Sequence, residues 1–104
     1  MILTNAFSLN MVSQESGTIR FRRVTVEEAR SLLASGFTSA VGHGDTANVL
    51  SDFLGIPVPT NRVTVSLAPG NTILVAQYRG PRLPEGATRL PEGAVIEFFL
   101  VTLE

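Results

Sequence analysis

Two amphipathic segments with clear helix boundaries, set among apolar strand-like runs, constrain most strongly what this sequence can fold into. The first begins at Thr25, which together with Glu28 has the spacing of a capping box, and it ends at Gly36. The second covers residues 45–54 and is stopped by Gly55. Because each helix carries one apolar stripe that must be buried, the sequence predicts helices packed on a sheet.

The remaining apolar segments have the alternation or the continuous apolar run that is typical of strands. They are residues 2–7, 18–24, 37–41, 62–67, 72–78 and 95–103. A turn signal at residues 68–71 predicts that the fourth and fifth strands form a hairpin. The predicted order is therefore β-β-α-β-α-β-β-β, an α/β (α+β) fold with a mixed sheet of about five to six strands and two helices.

Composition narrows the chemistry that the chain can carry. A length of 104 residues with 44% apolar residues suits one domain, residues 1–104, with a packed core. The sequence has no cysteine, which excludes disulfides, thiolate metal sites and thiol catalysis. One histidine without cysteine makes no metal-ligand set, so we expect neither a metal nor another cofactor.

Charge and hydropathy narrow the possible partners. The formal net charge is −1, which argues against a cationic nucleic-acid binder, so we expect no DNA or long RNA partner. No run approaches the roughly 20 apolar residues that cross a membrane, and the first residues lack the charged region of a signal peptide. We therefore expect a cytoplasmic protein without a membrane partner.

The only histidine, His43, lies where an apolar stretch runs into the second helical segment, between Gly42 and Gly44. The start of a helix presents free backbone N–H groups and the positive end of the helix dipole, which favour anions. An imidazole at such a position indicates acid catalysis on a phosphate ester. A local hydrogen bond at the start of the helix would explain the same residue without any catalysis.

All eight basic residues are arginines, which contact phosphate groups in bidentate fashion. The best candidates are Arg62, at the start of a predicted strand, and Arg82, in a Gly/Pro-rich loop over residues 79–93. That loop contains an internal repeat, because the Arg-Leu-Pro-Glu-Gly sequence of residues 82–86 recurs at residues 89–93. Such a long loop in a small domain is more often functional or mobile than idle.

Several motifs occur in one order along nearly the whole chain. They are residues 3–11, the helix start at residues 42–46, residues 61–63, Gln77 followed by residues 82–86, and residues 97–99. Together they resemble the small viral and bacterial ring nucleases that counteract type III CRISPR defence. Members of that family are homodimers of mixed α/β fold. They bind cyclic tetra-adenylate and cut it without metal into linear di-adenylates that carry a 2′,3′-cyclic phosphate, which switches off the signal.

The resemblance also implies the roles of individual residues. The family's catalytic histidine falls on His43, and its catalytic arginine and glutamate fall on Arg82 and Glu85. The implied ligand contacts are Asn5, Ser8, Asn10, Gln77, Arg62, Gly42 and Gly44. In this interpretation the ribose 2′-OH attacks its neighbouring phosphate, Arg82 stabilises the charge and His43 protonates the leaving oxygen.

Some alternatives stay open at this point. Family members carry a helix between the loop and the last strand, where this chain has the second copy of the repeat, so the lid over the ligand is shortened or replaced. The spacing from Gln77 to Arg82 is also a residue longer than in the family, so Arg79, Arg82 and Arg89 compete for the phosphate, with Arg82 preferred. A protein that sequesters or senses the cyclic nucleotide without cutting it is the main alternative function. A small protein that binds another protein or a nucleic acid is the third.

Overall fold

A computed structural model describes all 104 residues. Its elements are β1 Ile2–Thr4, β2 Ile19–Val24, α1 Val26–Ala34, β3 Thr38–Ser39, α2 Gly44–Leu54, β4 Thr72–Arg79 and β5 Val95–Leu103. A short 3₁₀ turn, Leu9–Met11, follows β1. The five strands form one sheet in the order β2-β5-β4-β1-β3. The predicted class, a mixed sheet with two helices, is confirmed.

The directions of the strands determine where the chain can build a site. β1 runs parallel to both of its neighbours, β3 and β4, whereas β5 is antiparallel to β4 and β2. The carboxyl ends of β1, β3 and β4 therefore meet at one edge of the sheet. In open sheets with parallel strands, ligands bind in the crevice outside these ends.

The two faces of the sheet are covered unequally. Both helices pack on one face, called here the helix face, where Leu3, Leu50, Leu74 and Phe98 are nearly inaccessible to solvent. The other face, called here the far face, is covered in part by Val65 and Leu67 and by the segment of residues 7–12. Neither helix has the length and apolarity that crossing a bilayer requires.

Helix α1 begins as the sequence predicts. The hydroxyl oxygen of Thr25 accepts a hydrogen bond from the backbone N–H of Glu28 at 3.1 Å, and Ala29 and Leu33 are buried against the sheet. The guanidinium of Arg22, hydrogen-bonded to the Glu28 carboxylate at 2.7 Å, lowers the pKa of that carboxyl. The cap and the ion pair together fix the junction between β2 and α1.

The predicted strand over residues 62–67 does not form, and with it the predicted hairpin is wrong. Both hydrogen-bonding edges of β4 are occupied, one by β1 and the other by β5, so no edge is free for a further strand. The segment keeps one bridge, in which the N–H of Leu67 donates to the carbonyl of Met11 at 2.7 Å. The alternation is nevertheless real, because Val65 and Leu67 are buried on the far face.

Two other strands are shorter than predicted. β1 ends at Thr4 rather than continuing to Phe7, and β3 comprises only Thr38 and Ser39 of the predicted residues 37–41. Where the chain leaves the sheet, the hydroxyl of Thr4 donates a hydrogen bond to the carbonyl of Ala6, two residues further along, at 3.2 Å. Because β1 and β3 both end early, the loops that follow them begin at the carboxyl edge of the sheet.

Candidate functional site

A cavity of about 1000 Å³ opens at the carboxyl edge of the sheet, and it is called here the His43 groove. Three parts of the chain form its walls: the start of α2, the end of β4 and the loop that follows β4. The lining residues are His43, Asp45, Thr46, Tyr78, Gly80, Arg82, Leu83, Pro84 and Glu85. The three residues predicted to be catalytic, His43, Arg82 and Glu85, thus lie around one groove.

His43 is the residue that precedes α2, and its side chain is not used for the helix start. Its backbone is extended, and its imidazole makes no capping hydrogen bond. The structure therefore does not form the local hydrogen bond that would have explained this residue without chemistry. The exposed imidazole is free to act on a ligand in the groove, beside the unpaired N–H groups of the first helical turn.

The three arginines that compete for the phosphate lie in different surroundings. Arg79 forms an ion pair with Glu97 on the far face, away from the groove. Arg82 lines the groove and has no carboxylate partner within ion-pair distance, whereas Arg89 neither lines the groove nor forms an ion pair. Of the three, only Arg82 both lines the groove and lacks an ion-pair partner.

The loop over residues 80–94 is shaped by two tight turns. In the first copy of the repeat, the carbonyl of Pro84 accepts from the N–H of Ala87 at 3.1 Å, and Gly86 has a φ of +79°. In the second copy, the carbonyl of Pro91 accepts from the N–H of Ala94 at 3.1 Å, and the glycine has a φ of +83°. A positive φ at the third residue of such a turn requires glycine. The repeated sequence thus forms the same turn twice, and only the first copy borders the groove.

The first turn is also attached to α2. The backbone N–H of Gly86 donates to the carboxylate of Asp45 at 3.1 Å. Asp45 lies in the first turn of α2, two residues after His43. Sequence reasoning missed Asp45, Thr46 and Tyr78. An acidic residue so close to His43 was the available signal for Asp45, whereas nothing in the sequence relates Tyr78 to the helix.

Arg62 and the two glycines lie beside the groove. A side chain at Gly42 would contact the Cβ and Cγ of Arg62 at 3.6 Å, so this arginine passes directly over the residue before His43. The segment is held there by Asn61, whose backbone N–H donates to the carbonyl of Val41 at 2.8 Å. Its side-chain amide donates to the carbonyl of Ser39 at 2.7 Å. The stem of the Arg62 side chain therefore lies beside the residue that precedes His43, but Arg62, Gly42 and Gly44 do not line the groove.

The other predicted ligand contacts do not line the groove. Asn5 follows β1 at the same edge of the sheet, and the hydroxyl of Ser8 accepts from the N–H of Asn10 at 3.2 Å in the 3₁₀ turn. Gln77 lies on the far face, on the opposite side of β4 from Tyr78. A single chain therefore gathers the predicted catalytic residues but not the predicted ligand-holding residues.

Gln77 instead borders an apolar depression on the far face, called here the phenylalanine patch, in which Phe21 is the one strongly exposed side chain. Its residues are Phe7, Ile19, Phe21, Val75, Gln77, Phe99 and Val101. The Phe21 side chain is 67% exposed and meets the Phe99 ring edge-on, with the centroids 6.1 Å apart. Next to them, the guanidinium of Arg23 lies over the Phe99 ring and forms an ion pair with Glu97.

Comparison with known proteins finds one matching family model and similar proteins from viruses. The family model described as STIV B116-like matches residues 1–98. Uncharacterized protein 26 of Sulfolobus islandicus filamentous virus (isolate Iceland/Hveragerdi) is 32% identical over 98 residues, which is 93% of this chain and 76% of that protein. Uncharacterized protein ORF117 of Acidianus two-tailed virus is 37% identical over 75 residues, 69% of this chain and 63% of that protein.

The fold has a solved relative as well. The structure of B116 of Sulfolobus turreted icosahedral virus (STIV) matches this one with a TM-score of 0.79 and 29% sequence identity. The match covers 97% of each chain. The named relatives are all proteins of viruses, and the similarity extends over the sheet, both helices and the loops that form the groove.

Proposed function

The chain belongs to the STIV B116-like family, and we propose that it is a metal-independent ring nuclease for cyclic tetra-adenylate. In this proposal the messenger of type III CRISPR defence is cut to linear di-adenylate with a 2′,3′-cyclic phosphate, in the cytoplasm where the signal acts. The observation that carries the proposal is that His43, Arg82 and Glu85 surround one groove, although they come from distant parts of the chain.

The proposed reaction uses the substrate as its own nucleophile. The ribose 2′-oxygen attacks the adjacent phosphorus, a new P–O2′ bond forms, and the P–O5′ bond breaks. Glu85 accepts the proton of the 2′-OH, and the His43 imidazolium donates a proton to the leaving 5′-oxygen. Arg82 stabilises the negative charge on the phosphate oxygens in the transition state. Proton and charge balance are complete without a metal ion or an added water.

The two-fold symmetry of cyclic tetra-adenylate matches the two-fold symmetry of a homodimer. Cutting cyclic tetra-adenylate at two opposite linkages gives two identical di-adenylates, so a homodimer would present one His43 groove to each linkage. The positions of the predicted ligand-holding residues support a homodimer, because these residues lie outside the groove of their own chain. They are Asn5, Ser8, Asn10 and Gln77. In the proposed dimer they contact the ring near the groove of the partner.

The phenylalanine patch is the surface that we assign to the dimer. Phe21, which is exposed, and the half-buried Phe7, Ile19 and Phe99 give this face apolar surface that a second chain could cover. Gln77 belongs to the patch and lies near the carboxyl end of β4, so a copy packed there with its strands running in the same direction would bring the two carboxyl edges to the same end of the dimer. This placement connects the interface with the ligand site.

Binding without cleavage is the competing function. A protein that only sequesters the ring needs the amide, hydroxyl and guanidinium groups that hold it, but it has no use for an acid. The imidazole of His43 makes no capping hydrogen bond and lines the same groove as Arg82 and Glu85, which supports cleavage over sequestration. Both functions require that the protein binds the ring, so the test must resolve products as well as complexes.

The direct test is incubation of the purified protein with cyclic tetra-adenylate and cyclic hexa-adenylate in the presence of EDTA. We expect the tetra-adenylate to disappear and a di-adenylate with a 2′,3′-cyclic phosphate to accumulate. Tight binding without products would replace cleavage by sequestration. Neither binding nor cleavage of any cyclic oligoadenylate would overturn the proposal.

A further inference from the structure

One side chain connects the loop with the helix that carries His43. The residues of the loop, 81–93, make few hydrogen bonds to the rest of the protein. Pro81 accepts from the Tyr78 hydroxyl, and the two turns are closed by bonds to Ala87 and Ala94. The bond from the Gly86 N–H to the Asp45 carboxylate is the one that reaches α2. Attachment of the loop to α2 by hydrogen bonds therefore depends on Asp45.

We propose that Asp45 is a positioning residue that fixes the Arg82 and Glu85 side of the groove relative to His43. This inference rests on the proposed function. Asp45 lies in the first turn of α2, two residues after His43, and Glu85 directly precedes the bonded Gly86. One hydrogen bond thus sets the width of the groove between the proton donor and the other two groups. Its acceptor is a carboxylate, which makes it stronger than a bond between neutral groups.

Asp45 also determines which copy of the repeat acts. Both copies have the same sequence and form the same turn, yet the N–H of Gly93, which corresponds to Gly86, has no hydrogen-bond partner in the protein. The turn alone therefore does not select the catalytic arginine. The Asp45 carboxylate selects the first copy, because it holds Gly86, and with it residues 82–85, at the groove.

The experiment compares Asp45→Ala with Asp45→Asn, and uses Asp52→Ala on the exposed side of α2 as the matched control. The amide oxygen of Asn still accepts the Gly86 N–H without the charge, whereas Ala removes the acceptor. Two readouts are measured for each protein. The first is hydrogen exchange of the Gly86 amide without ligand, and the second is the single-turnover rate at saturating cyclic tetra-adenylate.

In Asp45→Ala we expect Gly86 exchange to accelerate by about tenfold or more, since a charge-assisted hydrogen bond is lost. We expect the cleavage rate to fall by a similar factor, with the ring still bound. Asp45→Asn should recover most of both losses, and Asp52→Ala should match the wild type.

Unchanged Gly86 exchange in Asp45→Ala would overturn the attachment itself. Faster exchange with an unchanged cleavage rate would overturn the positioning role. A wild-type protein that does not cleave the ring would instead refute the proposed function, and the exchange data would still decide whether Asp45 holds the loop.

Discussion

At the scale of single residues, the sharpest question is which arginine contacts the phosphate. Arg82→Ala should reduce the single-turnover rate by about 10²-fold or more, because a transition-state contact to the phosphate is removed. Arg89→Ala, the matched change in the second copy, should stay close to the wild-type rate, since Arg89 does not line the groove. Rapid quenching and product separation measure both rates. If only Arg89→Ala abolishes cleavage, the assignment of Arg82 is wrong.

Residue chemistry alone made some of these positions predictable. His43 is the only histidine and precedes a helix, and Arg82 belongs to a recognisable repeat, whereas Glu85 was implied by the family resemblance. Asp45 was missed because its partner is a backbone N–H, which leaves no trace in the sequence. Gln77 was predicted as a ligand contact, but no residue type shows on which face of a strand a side chain lies. The choice between the copies of the repeat required the structure.

Among the elements, the loop over residues 80–94 should change when the ring binds. It carries Arg82 and Glu85 but has few hydrogen bonds to the rest of the protein, so local opening should cost little free energy. We expect hydrogen exchange and protease cleavage in this loop to slow when cyclic tetra-adenylate is added. Linear tetra-adenylate is the control. Equal protection with and without the cyclic ligand would contradict a role of the loop in binding.

The start of α1 offers a test of the fold that does not depend on function. Thr25→Ala removes the hydroxyl that accepts the Glu28 N–H and should lower the free energy of unfolding by about 1 kcal/mol. Thr25→Ser keeps a hydroxyl at that position and should lose less. Urea unfolding followed by circular dichroism measures the difference. Equal stability of Thr25→Ala and the wild type would show that the cap does not stabilise the helix.

The helix starts were easier to predict than the strands for a physical reason. A cap such as that of Thr25 is a contact between residues close in sequence, and it is visible as a short pattern. Pairing of strands is decided by which edges are free. The apolar alternation of residues 62–67 correctly indicates burial of Val65 and Leu67, but β1 and β5 already occupy both edges of β4.

At the scale of the whole molecule, the proposal requires two chains. Phe21→Glu places a charge on the phenylalanine patch, and because Phe21 is 67% exposed, the single chain should still fold. Sedimentation should show a monomer for this variant and a dimer for the wild type, and cleavage should fall with the loss of the dimer. Ser31→Glu, on the exposed side of α1, is the control and should remain a dimer. A wild-type monomer at micromolar concentration that cleaves the ring would contradict the dimer.

The overall architecture followed from the sequence to a large extent, since one helix after β2 and another after β3 leave few ways to build a single sheet. The order of the strands in the sheet could not be predicted from the sequence. β1 pairs in parallel with β3 and β4, and this arrangement brings His43 to the end of β4. Such pairings depend on contacts between distant segments, and they create the groove.

The most direct test of the account is the single-turnover cleavage of cyclic tetra-adenylate by the wild type and by His43→Ala in EDTA, with the 2′-deoxy ring as a second substrate. Loss of a general acid should lower the rate by about 10²-fold or more while the ring remains bound. The wild type should release a 2′,3′-cyclic phosphate, and it should bind the 2′-deoxy ring without cutting it. Full activity of His43→Ala, or cleavage of the 2′-deoxy ring, would contradict the account.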